Sequence, residues 1–382
     1  MKVLHIISGL DQGGAEGCLC RLIRADRESS HSVISLLDEG IYGAALRAEG
    51  IPVHTIGMSR GRPSLRGCLK LIRTVRSVHP DIVQTWMCHA DLLGGLAARI
   101  TGSGTVVWGI RNTLLDNKTT SLSTRLVVRA CALLSPYIPS AIVSCSATAA
   151  EQHIQIGYDA VKMRTIPNGM DLARFQRDPI KRAEARAEIG LTGEECLFGM
   201  VARYDPQKDH KNLLLALREL AARTDFRWKC ALIGRGLDSS NAVLRDLLKD
   251  SGLDSRVLLL GARDDVSHIM NGLDCHVLSS AYGEGFPNVV AEAMACGVPC
   301  VATDVGDARR IIGNTGWVVP PRDQSALAGA LGEVLEELGS EKWESRRQLA
   351  ERTIQQNFGL DRMCEAFQDV WSSCLAGRVK TA

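Results

Sequence analysis

Short runs of apolar and β-branched residues alternate with helical patterns along most of this chain. Such alternation is typical of parallel sheets that helices cover on both faces. In the first half, the runs that predict strands are Val3–Ile7, His31–Leu37, Val53–Ile56, Ile82–Thr85, Thr105–Ile110, Ala141–Ser144 and Met163–Ile166. In the second half, they are Cys196–Val201, Trp228–Ile233, Val257–Leu260, Cys275–Ser279, Cys300–Thr303 and Gly316–Val318. The sequence therefore predicts an α/β protein with two Rossmann-like, doubly wound parallel sheets.

The length of the chain also favours two domains. Its 382 residues exceed what one ordinary core accommodates. We expect an N-terminal domain over residues 1–170, a C-terminal domain over 171–355, and a terminal helix over 356–382 that can pack back on the N-terminal domain or the C-terminal one. Ligands of doubly wound sheets collect at the carboxyl ends of the strands. Two such sheets facing a central cleft would therefore place a site between the domains.

Composition excludes several classes of protein. A hydrophobic content of 45% and a charged content of 23% describe a globular protein, neither disordered nor fibrous. The first ten residues, MKVLHIISGL, predict a strand that continues into a glycine loop, not a signal peptide. No stretch of about 18 uninterrupted apolar residues marks a membrane-spanning helix. We therefore expect a cytoplasmic protein.

The cysteines and histidines do not suggest a metal site. The 13 cysteines are odd in number, scattered and mostly embedded in apolar runs, which fits free thiols in a reducing compartment. Neither a C-x-x-C pair nor a His-x-Glu pattern occurs. We therefore expect no metal and no cofactor, and nothing in the sequence proposes a nucleic-acid partner.

The net charge of +2 is unevenly distributed along the chain. Residues 1–170 contain 18 Lys and Arg against 12 Asp and Glu, whereas the remainder contains 27 against 31. Within this basic half, the segment SLRGCLKLIRTVRS predicts an amphipathic helix whose basic residues are Arg66, Lys70, Arg73 and Arg76. Such a helix can dock on an anionic membrane surface, although charged helix faces are usually only solvated.

The segment Glu284–Glu292, EGFPNVVAE, follows a predicted strand and leads into an Ala-rich helical stretch. In that order a helix N-terminus offers unpaired backbone N–H groups to a phosphate, and Pro287 suits the first helical turn. Glu292 lies just over one turn after Asn288, where it can accept hydrogen bonds from a ribose diol. Glu284, in the loop, can meet sugar hydroxyl groups. A single Glu is most often a solvated charge, but the spacing and context favour a nucleotide-sugar site.

Two further loops carry candidate site residues. Gly13 and Gly14 follow the first strand, where glycine lets the backbone approach an anion closely, although a tight turn needed only for folding explains them as well. Arg203 and Lys208 follow the strand that ends at Val201, and two cations there would neutralise a pyrophosphate and stabilise it as a leaving group. We interpret neighbouring Lys211 as a solvated charge.

His89 lies just past the fourth predicted strand, at the start of the next helix. A histidine at a strand end can contribute to a sugar pocket, but a lone histidine is as often a satisfied structural residue. The residue pattern alone leaves both interpretations open.

Taken together, these motifs resemble those of the retaining glycosyltransferases of family 4, which have the GT-B fold. The resemblance covers essentially the whole chain. It rests on the Gly13–Gly14 loop, the strand-end His89, the PNGMD turn at Pro167–Asp171, Arg203 with Lys208, the turn at Gly234–Gly236, and the pair Glu284 and Glu292. One departure is Tyr204, which stands where the family usually has an apolar residue.

The resemblance implies roles for these residues. Arg203 and Lys208 would contact the donor diphosphate, Glu292 the ribose, and Glu284 with the following backbone the transferred sugar. The loop near Arg263 would hold the base, and His89 would line the sugar pocket. The residues implied in catalysis are thus His89, Arg203, Lys208 and Glu284. Those implied in donor binding are Gly13, Gly14, Gly234, Arg263, Glu284, Gly285, Phe286, Pro287, Asn288, Val289 and Glu292.

The resemblance further implies the reaction. A sugar, such as a UDP-linked hexose or N-acetylhexosamine, would be transferred with retention of configuration and without a metal ion. The acceptor would be a glycan or a polyprenyl-linked glycan in cell-surface polysaccharide or glycoconjugate assembly. If the basic helix with Arg66, Lys70, Arg73 and Arg76 docks on a membrane, the acceptor would be lipid-linked and met at the inner face of that membrane. Two alternatives remain open, a nucleotide-sugar epimerase of similar architecture and a non-catalytic sugar-nucleotide-binding protein.

Overall fold

A computed structural model describes residues 1–11, 13–59, 63–113, 121–191 and 195–379. The chain divides into two compact units. The first contains Met1–Gly169 together with Leu360–Ala382, and the second contains Met170–Gly359. No helix among the described residues is long and apolar enough to cross a membrane.

Each unit is built on one parallel sheet. The strands of the first unit are β1 (Lys2–Ile7), β2 (Ser30–Ser35), β3 (Val53–Thr55), β4 (Ile82–Trp86), β5 (Thr105–Ile110), β6 (Ala141–Ser144) and β7 (Met163–Thr165). Those of the second are β8 (Cys196–Val201), β9 (Trp228–Ile233), β10 (Val257–Gly261), β11 (Cys275–Leu278), β12 (Cys300–Thr303) and β13 (Trp317–Val319). The strand orders are β3-β2-β1-β4-β5-β6-β7 and β10-β9-β8-β11-β12-β13. The predicted α/β class with two doubly wound sheets is confirmed.

Helices connect the strands. They are α1 (Gly14–Ala25), α2 (Gly40–Ala48), α3 (Leu65–Val78), α4 (Cys88–Thr101), α5 (Leu122–Leu134), α6 (Ala147–Gln155), α7 (Pro179–Glu188), α8 (His210–Arg223), α9 (Ala242–Ser251), α10 (Val266–Gly272), α11 (Asn288–Ala295), α12 (Ala308–Ile312), α13 (Gln324–Glu337), α14 (Glu341–Asn357) and α15 (Leu360–Val379). Side-chain caps begin several of them. The Ser64 hydroxyl accepts from Gly67 N in α3, and the Asp209 carboxylate accepts from Asn212 N in α8.

Both faces of the first sheet are covered by helices. One apolar core contains residues of α1, α2 and α15, and the other contains residues of α3, α4 and α5. The last helix belongs to the first unit, where Trp371 is fully buried and its indole N–H donates to Gln84 Oε1 at 3.1 Å. The second unit has its own core around Phe198, Leu217 and Trp228. All 13 cysteines are described, and all are free thiols.

Candidate active site

The second sheet has a topological switch point between β8 and β11, which are neighbours although two other strands lie between them in sequence. Connections from these strands leave in opposite directions, and ligands of doubly wound sheets bind beside such a point. The loops that follow the two strands are joined. Ala281 N donates to Gln207 O at 2.8 Å, and the Ser279 hydroxyl donates to Lys208 O at 2.8 Å. These hydrogen bonds hold the two loops together beside the switch point.

Lys208 and Glu284 form an ion pair between these two loops. The Lys208 ammonium lies 2.5 Å from Glu284 Oε1, and both side chains are largely buried. The Ser280 hydroxyl donates to the same carboxylate oxygen at 2.6 Å. Charge-assisted hydrogen bonds in a site of low exposure are strong and directional. The structure thus brings together two predicted site residues that lie far apart in sequence and orients the carboxylate.

Arg203 lies in the same loop as Lys208 but is half exposed. Its guanidinium donates through Nε to Asp205 Oδ2 at 3.0 Å. Burial opposes ionisation of Asp205, but hydrogen bonds from Gln207 N and Arg203 lower the pKa of this carboxyl below its ordinary value. Asp205 therefore stays ionised and holds the Arg203 side chain over the loop, where its remaining N–H groups can meet an anion.

His210, the first residue of α8, is a buried and neutral neighbour of Lys208. Burial, and then repulsion from Lys208, lowers the pKa of His210 to about 4. Neither ring nitrogen has a hydrogen-bond partner among the described residues. The imidazole packs on Tyr204, with the ring centroids 5.3 Å apart. Tyr204, the residue that departs from the family pattern, thus packs on the core of its own unit.

The turn that precedes α11 is fixed by its surroundings. Phe286 is buried, and its ring lies 5.4 Å from that of Phe358. Pro287 stands at the N-cap, one residue before the helix, and not within the first helical turn as its sequence suggests. Its side chain offers no acceptor to the N–H groups of the helix, so a bound anion can approach them. Asn288 and Val289 are half-buried at this end of the helix.

Gly306 supports this turn from the loop after β12. It has φ 62°, and a Cβ there would collide with the carbonyl oxygens of Glu284 and Gly285. Asp307 N donates to Gly285 O at 2.9 Å. Sequence reasoning missed both Gly306 and Ser280. A glycine close behind a predicted strand is the only local signal for Gly306, and Ser280 has none apart from its proximity to Glu284.

The structure explains why position 234 is a glycine. Its φ is 144°, and a Cβ there would overlap the carbonyl oxygen of Ala202, which lies directly before Arg203. Its N–H donates to Gly261 O at 2.7 Å. Only glycine allows the loop after β9 to pass so close to the loop after β8. Whether it also contacts a donor stays a prediction.

Arg263 is bound to acidic side chains of the second unit. It donates to Asp265 Oδ1 and Oδ2 at 2.8 and 2.6 Å, and to Glu188 Oε1 at 2.7 Å. These hydrogen bonds, that to Asp265 first, raise its pKa above the ordinary value. Glu188, Asp265 and His268 have ligand atoms close enough for a metal ion, but the Arg263 guanidinium neutralises the two carboxylates. The side chain of Arg263 thus stabilises the loop after β10, and a role in holding the base stays a prediction.

The first sheet has its switch point between β1 and β4. Gly13 is the N-cap of α1 after β1, and Gly14 begins that helix. His89 is the second residue of α4, after β4. It is half-buried, and burial lowers its pKa below the ordinary value, so the ring is neutral near pH 7. The structure thus puts the glycine loop and His89 at the same end of neighbouring strands.

The start of α4 is firmly held. Met87, directly before the helix, has φ 73°, a conformation that non-glycine residues rarely adopt. Its N–H donates to Gly109 O at 2.7 Å. The fully buried Asp91 carboxylate accepts from the Thr85 hydroxyl at 2.6 Å and from Gly109 N at 3.0 Å, while burial raises its pKa to about 7. These contacts fix the backbone that presents His89.

Polar side chains also lie in the core around Trp86, the last residue of β4. The Trp86 indole N–H donates to His5 Nδ1 at 3.2 Å, so His5 carries its proton on Nε2, which lies 3.0 Å from His31 Nδ1. Burial, followed by repulsion from His31 and Arg111, lowers the pKa of His5 well below its ordinary value. The Arg111 guanidinium stacks 4.0 Å above the Trp86 ring.

Two families match the chain. Residues 12–174 match the family described as Glycosyltransferase Family 4, and residues 195–337 match the family described as Glycosyl transferases group 1. The two matches cover most of both units.

Two proteins illustrate the sequence similarity. The Putative glycosyltransferase EpsF of Bacillus subtilis (strain 168) is 26% identical over 79% of this chain and 79% of that protein. The UDP-Gal:alpha-D-GlcNAc-diphosphoundecaprenol alpha-1,3-galactosyltransferase of Escherichia coli is 26% identical over 72% of this chain and 71% of that protein.

A solved structure shows the same fold. The crystal structure of Anabaena Alr3699/HepE in complex with UDP matches with a TM-score of 0.85 and 24% identity, over 98% of this chain and 100% of that one. At this level of identity the likeness establishes the fold alone.

Proposed function

The chain belongs to the family 4 glycosyltransferases of the GT-B fold, and on that premise we propose that it transfers a sugar from a UDP-sugar to a glycan or lipid-linked glycan. The name of the Escherichia coli relative specifies a UDP-galactose donor and a diphosphoundecaprenol-linked acceptor, and the Anabaena structure holds UDP. Both support UDP as the nucleotide of the donor, and the name of the Escherichia coli relative supports a hexose as the transferred sugar; an N-acetylhexosamine is the second sugar class that we propose to test. Such a reaction serves the assembly of cell-surface polysaccharides or glycoconjugates.

The observation that carries the proposal is the Lys208–Glu284 pair at the switch point of the second sheet. It sets a fixed ammonium and a fixed carboxylate at one point, beside the half-exposed Arg203. In the proposed complex, Lys208 and Arg203 bind the donor diphosphate together with the N-terminus of α11. Glu284 binds hydroxyl groups of the transferred sugar, and Glu292, one turn into α11, binds the ribose.

The leaving-group chemistry follows from these charges. As the bond between the sugar and the diphosphate breaks, negative charge grows on the diphosphate, and cations already in place stabilise it without reorganisation. We propose that Arg203, Lys208 and the helix N-terminus supply this field in place of a metal ion. The leaving diphosphate takes the acceptor proton on the same face of the sugar, which retains the anomeric configuration. His89, with the glycine loop of the first unit, would line the sugar pocket.

The donor is tested by thermal shift with UDP-, GDP- and ADP-sugars. A UDP-sugar should raise the melting temperature of the wild type more than that of Lys208→Met at the same ligand concentration, because ligands that bind only the folded state stabilise it and the variant binds the diphosphate more weakly. Lys211→Met is the matched control, since Lys211 is an exposed lysine three residues further on. A shift with GDP- or ADP-sugars only would contradict the choice of UDP.

The reaction is tested by following donor and product. Transfer or slow donor hydrolysis supports a transferase, an isomerised donor would indicate the epimerase, and binding with no turnover would indicate a binding protein. NMR of the product anomer tests retention, since an inverted linkage contradicts it. Activity that is lost in chelator and restored only by Mg²⁺ or Mn²⁺ would contradict metal independence.

We further propose that the chain works at the cytoplasmic face of a membrane. The free thiols support a reducing compartment. On α3, the side chains of four basic residues are exposed, and all of them can approach anionic lipid headgroups. They are Arg66, Lys70, Arg73 and Arg76. Vesicle sedimentation tests this contact, because a variant with all four changed to Gln should lose binding to anionic vesicles that the wild type shows.

A further inference from the structure

Three helices on one face of the first sheet have almost no acidic residues. The helices α3, α4 and α5 pack side by side, with α4 in the middle. Their only acidic residue is Asp91, which is buried. Their basic residues are Arg66, Lys70, Arg73, Arg76, Arg99, Arg125 and Arg129. None of these seven takes part in an ion pair among the described residues. The outer surface of these three helices, the α3–α5 face, is therefore uniformly positive.

The same face exposes large apolar side chains. On α5, Leu122, Leu126 and Leu133 are 73%, 65% and 77% exposed. Their spacings of four and seven residues put them on one stripe of the helix, and Arg129 falls on the same stripe. The three helices and the residues that follow them also expose Tyr137 after α5, Ile100 on α4 and Leu65 on α3. Solvated helix surfaces do not normally carry three exposed leucines on one stripe.

The opposite face of the sheet is different. There, arginines of α1 and α2 pair with carboxylates, as in Arg24 with Glu49 and Arg47 with Glu39, each at 2.6 Å. On the side of the α3–α5 face, α6 carries the exposed Glu151 and so bounds the acid-free surface. Among the described helices of the first unit, the α3–α5 face thus combines basic residues that have no acidic neighbour on the same helices with a row of exposed leucines.

We propose that the α3–α5 face lies on an anionic lipid bilayer, with the leucine row of α5 inserted at the boundary between headgroups and acyl chains. A nucleic acid would match the charge but leave the leucines in water, whereas a bilayer accommodates both. The proposal deepens the membrane contact proposed for α3, because it adds an apolar anchor and fixes which side of the unit meets the lipid. It also rests on the proposed lipid-linked acceptor, which such docking would bring within reach.

Flotation of the full chain with phosphatidylcholine vesicles, with and without phosphatidylglycerol, tests the proposal. Wild type should bind only the anionic vesicles. Leu126→Ser combined with Leu133→Ser should weaken this binding at least about tenfold at low and at high salt, because it removes apolar insertion. Ile41→Ser combined with Ile180→Ser is the matched control, since both residues are similarly exposed but lie on α2 and α7.

Charge is tested separately. Arg125→Gln combined with Arg129→Gln should weaken binding about fivefold for each charge at low salt, and this difference should disappear at high salt. Because Leu126, Leu133 and Arg129 are exposed and Arg125 is only half-buried, each variant should keep a melting temperature close to that of the wild type, which confirms that it folds.

Three results would overturn the proposal. The first is that the wild type does not float with anionic vesicles. The second is that the variant with Leu126→Ser and Leu133→Ser floats as well as the wild type. The third is that light scattering shows a dimer of the wild type and a monomer of this variant. The last would assign the leucine row to a second copy of the chain. Transfer to a water-soluble acceptor is measured in parallel. A wild type that transfers sugar but does not float would reject only the proposed membrane contact of the α3–α5 face. A wild type that floats but does not transfer sugar would reject only the proposed reaction.

Discussion

The two sheets share a topology but differ in what stands at their switch points. In each unit the switch point lies between neighbouring strands, β1 with β4 and β8 with β11. In the second unit it carries an ion pair of Lys208 and Glu284. In the first unit it carries the Gly13 loop and His89, whose pKa is lowered by burial. Strand order decides where a ligand binds, whereas the loop side chains decide which ligand binds.

This difference supports the proposed roles, in which the second unit binds the donor diphosphate and His89 of the first unit meets sugar hydroxyl groups. Fixed charges suit a diphosphate whose negative charge grows during the reaction, whereas neutral donors and acceptors suit sugar hydroxyl groups. Removing a charged side chain at the switch point of the second unit should therefore lower kcat more than removing a neutral side chain at the switch point of the first unit.

The largest expected effect comes from Lys208→Met. Removing a preorganised cation from the leaving group should lower kcat about 10²- to 10³-fold. Lys211→Met should leave kcat unchanged. Steady-state kinetics with saturating donor measures both. If the Lys208 variant turns over like the wild type, the charged switch point has no role in the chemistry.

Gly234→Ala tests whether the charged loops depend on close backbone packing. The added Cβ meets Ala202 O, and the positive φ disfavours alanine, so the free energy of unfolding should fall by about 3 kcal/mol. The control is Gly329→Ala on α13, where nothing lies within 4 Å of the added Cβ and alanine should stabilise the helix slightly. Chemical denaturation measures both, and equal stabilities would contradict the packing argument.

The buried histidine beside Lys208 predicts a loss of stability in acid. Burial holds the pKa of His210 at about 4, whereas the unfolded chain restores a value near 6.5. The unfolded state therefore binds the proton first as the pH falls. The contribution of neutral His210 to the free energy of unfolding is complete above pH 6.5. It is lost as the pH falls from there towards 4, and the loss is about 2 kcal/mol at pH 5.

Urea unfolding of the wild type and of His210→Asn at pH 7 and pH 5 checks this prediction. Asparagine does not titrate in this range, so the variant should show a smaller difference in unfolding free energy between the two pH values. An equal difference in both proteins would contradict the assignment to His210.

The smallest effect is expected in the first unit. His89→Ala should lower kcat about tenfold, because it removes one neutral hydrogen-bonding group from the sugar pocket. His268→Ala, at a histidine of the second unit that lies 3.6 Å from Glu188, should not change kcat. An effect of His89→Ala as large as that of Lys208→Met would remove the contrast between the two switch points.

Much of the fold could be predicted from the sequence because its signals are local. The apolar runs at Val3–Ile7 and Cys196–Val201 became β1 and β8 with boundaries that differ by at most one residue. The run at His31–Leu37 ends two residues earlier in the structure, at Ser35. Local patterns also predicted that Lys208 and Glu284 follow strands, since glycine, proline and charged residues after an apolar run indicate a loop.

Only the tertiary structure decided which of these loops meet. Lys208 pairs with Glu284 because β8 and β11 are neighbours in the sheet, and no local pattern encodes the partner of a strand. The contact of Gly306 with the Glu284 turn and the binding of Arg263 to Glu188 arise in the same way. The sequence by itself determined the elements and the chemical groups at their ends. Long-range strand pairing, which depends on the burial of whole faces, decided which groups stand together.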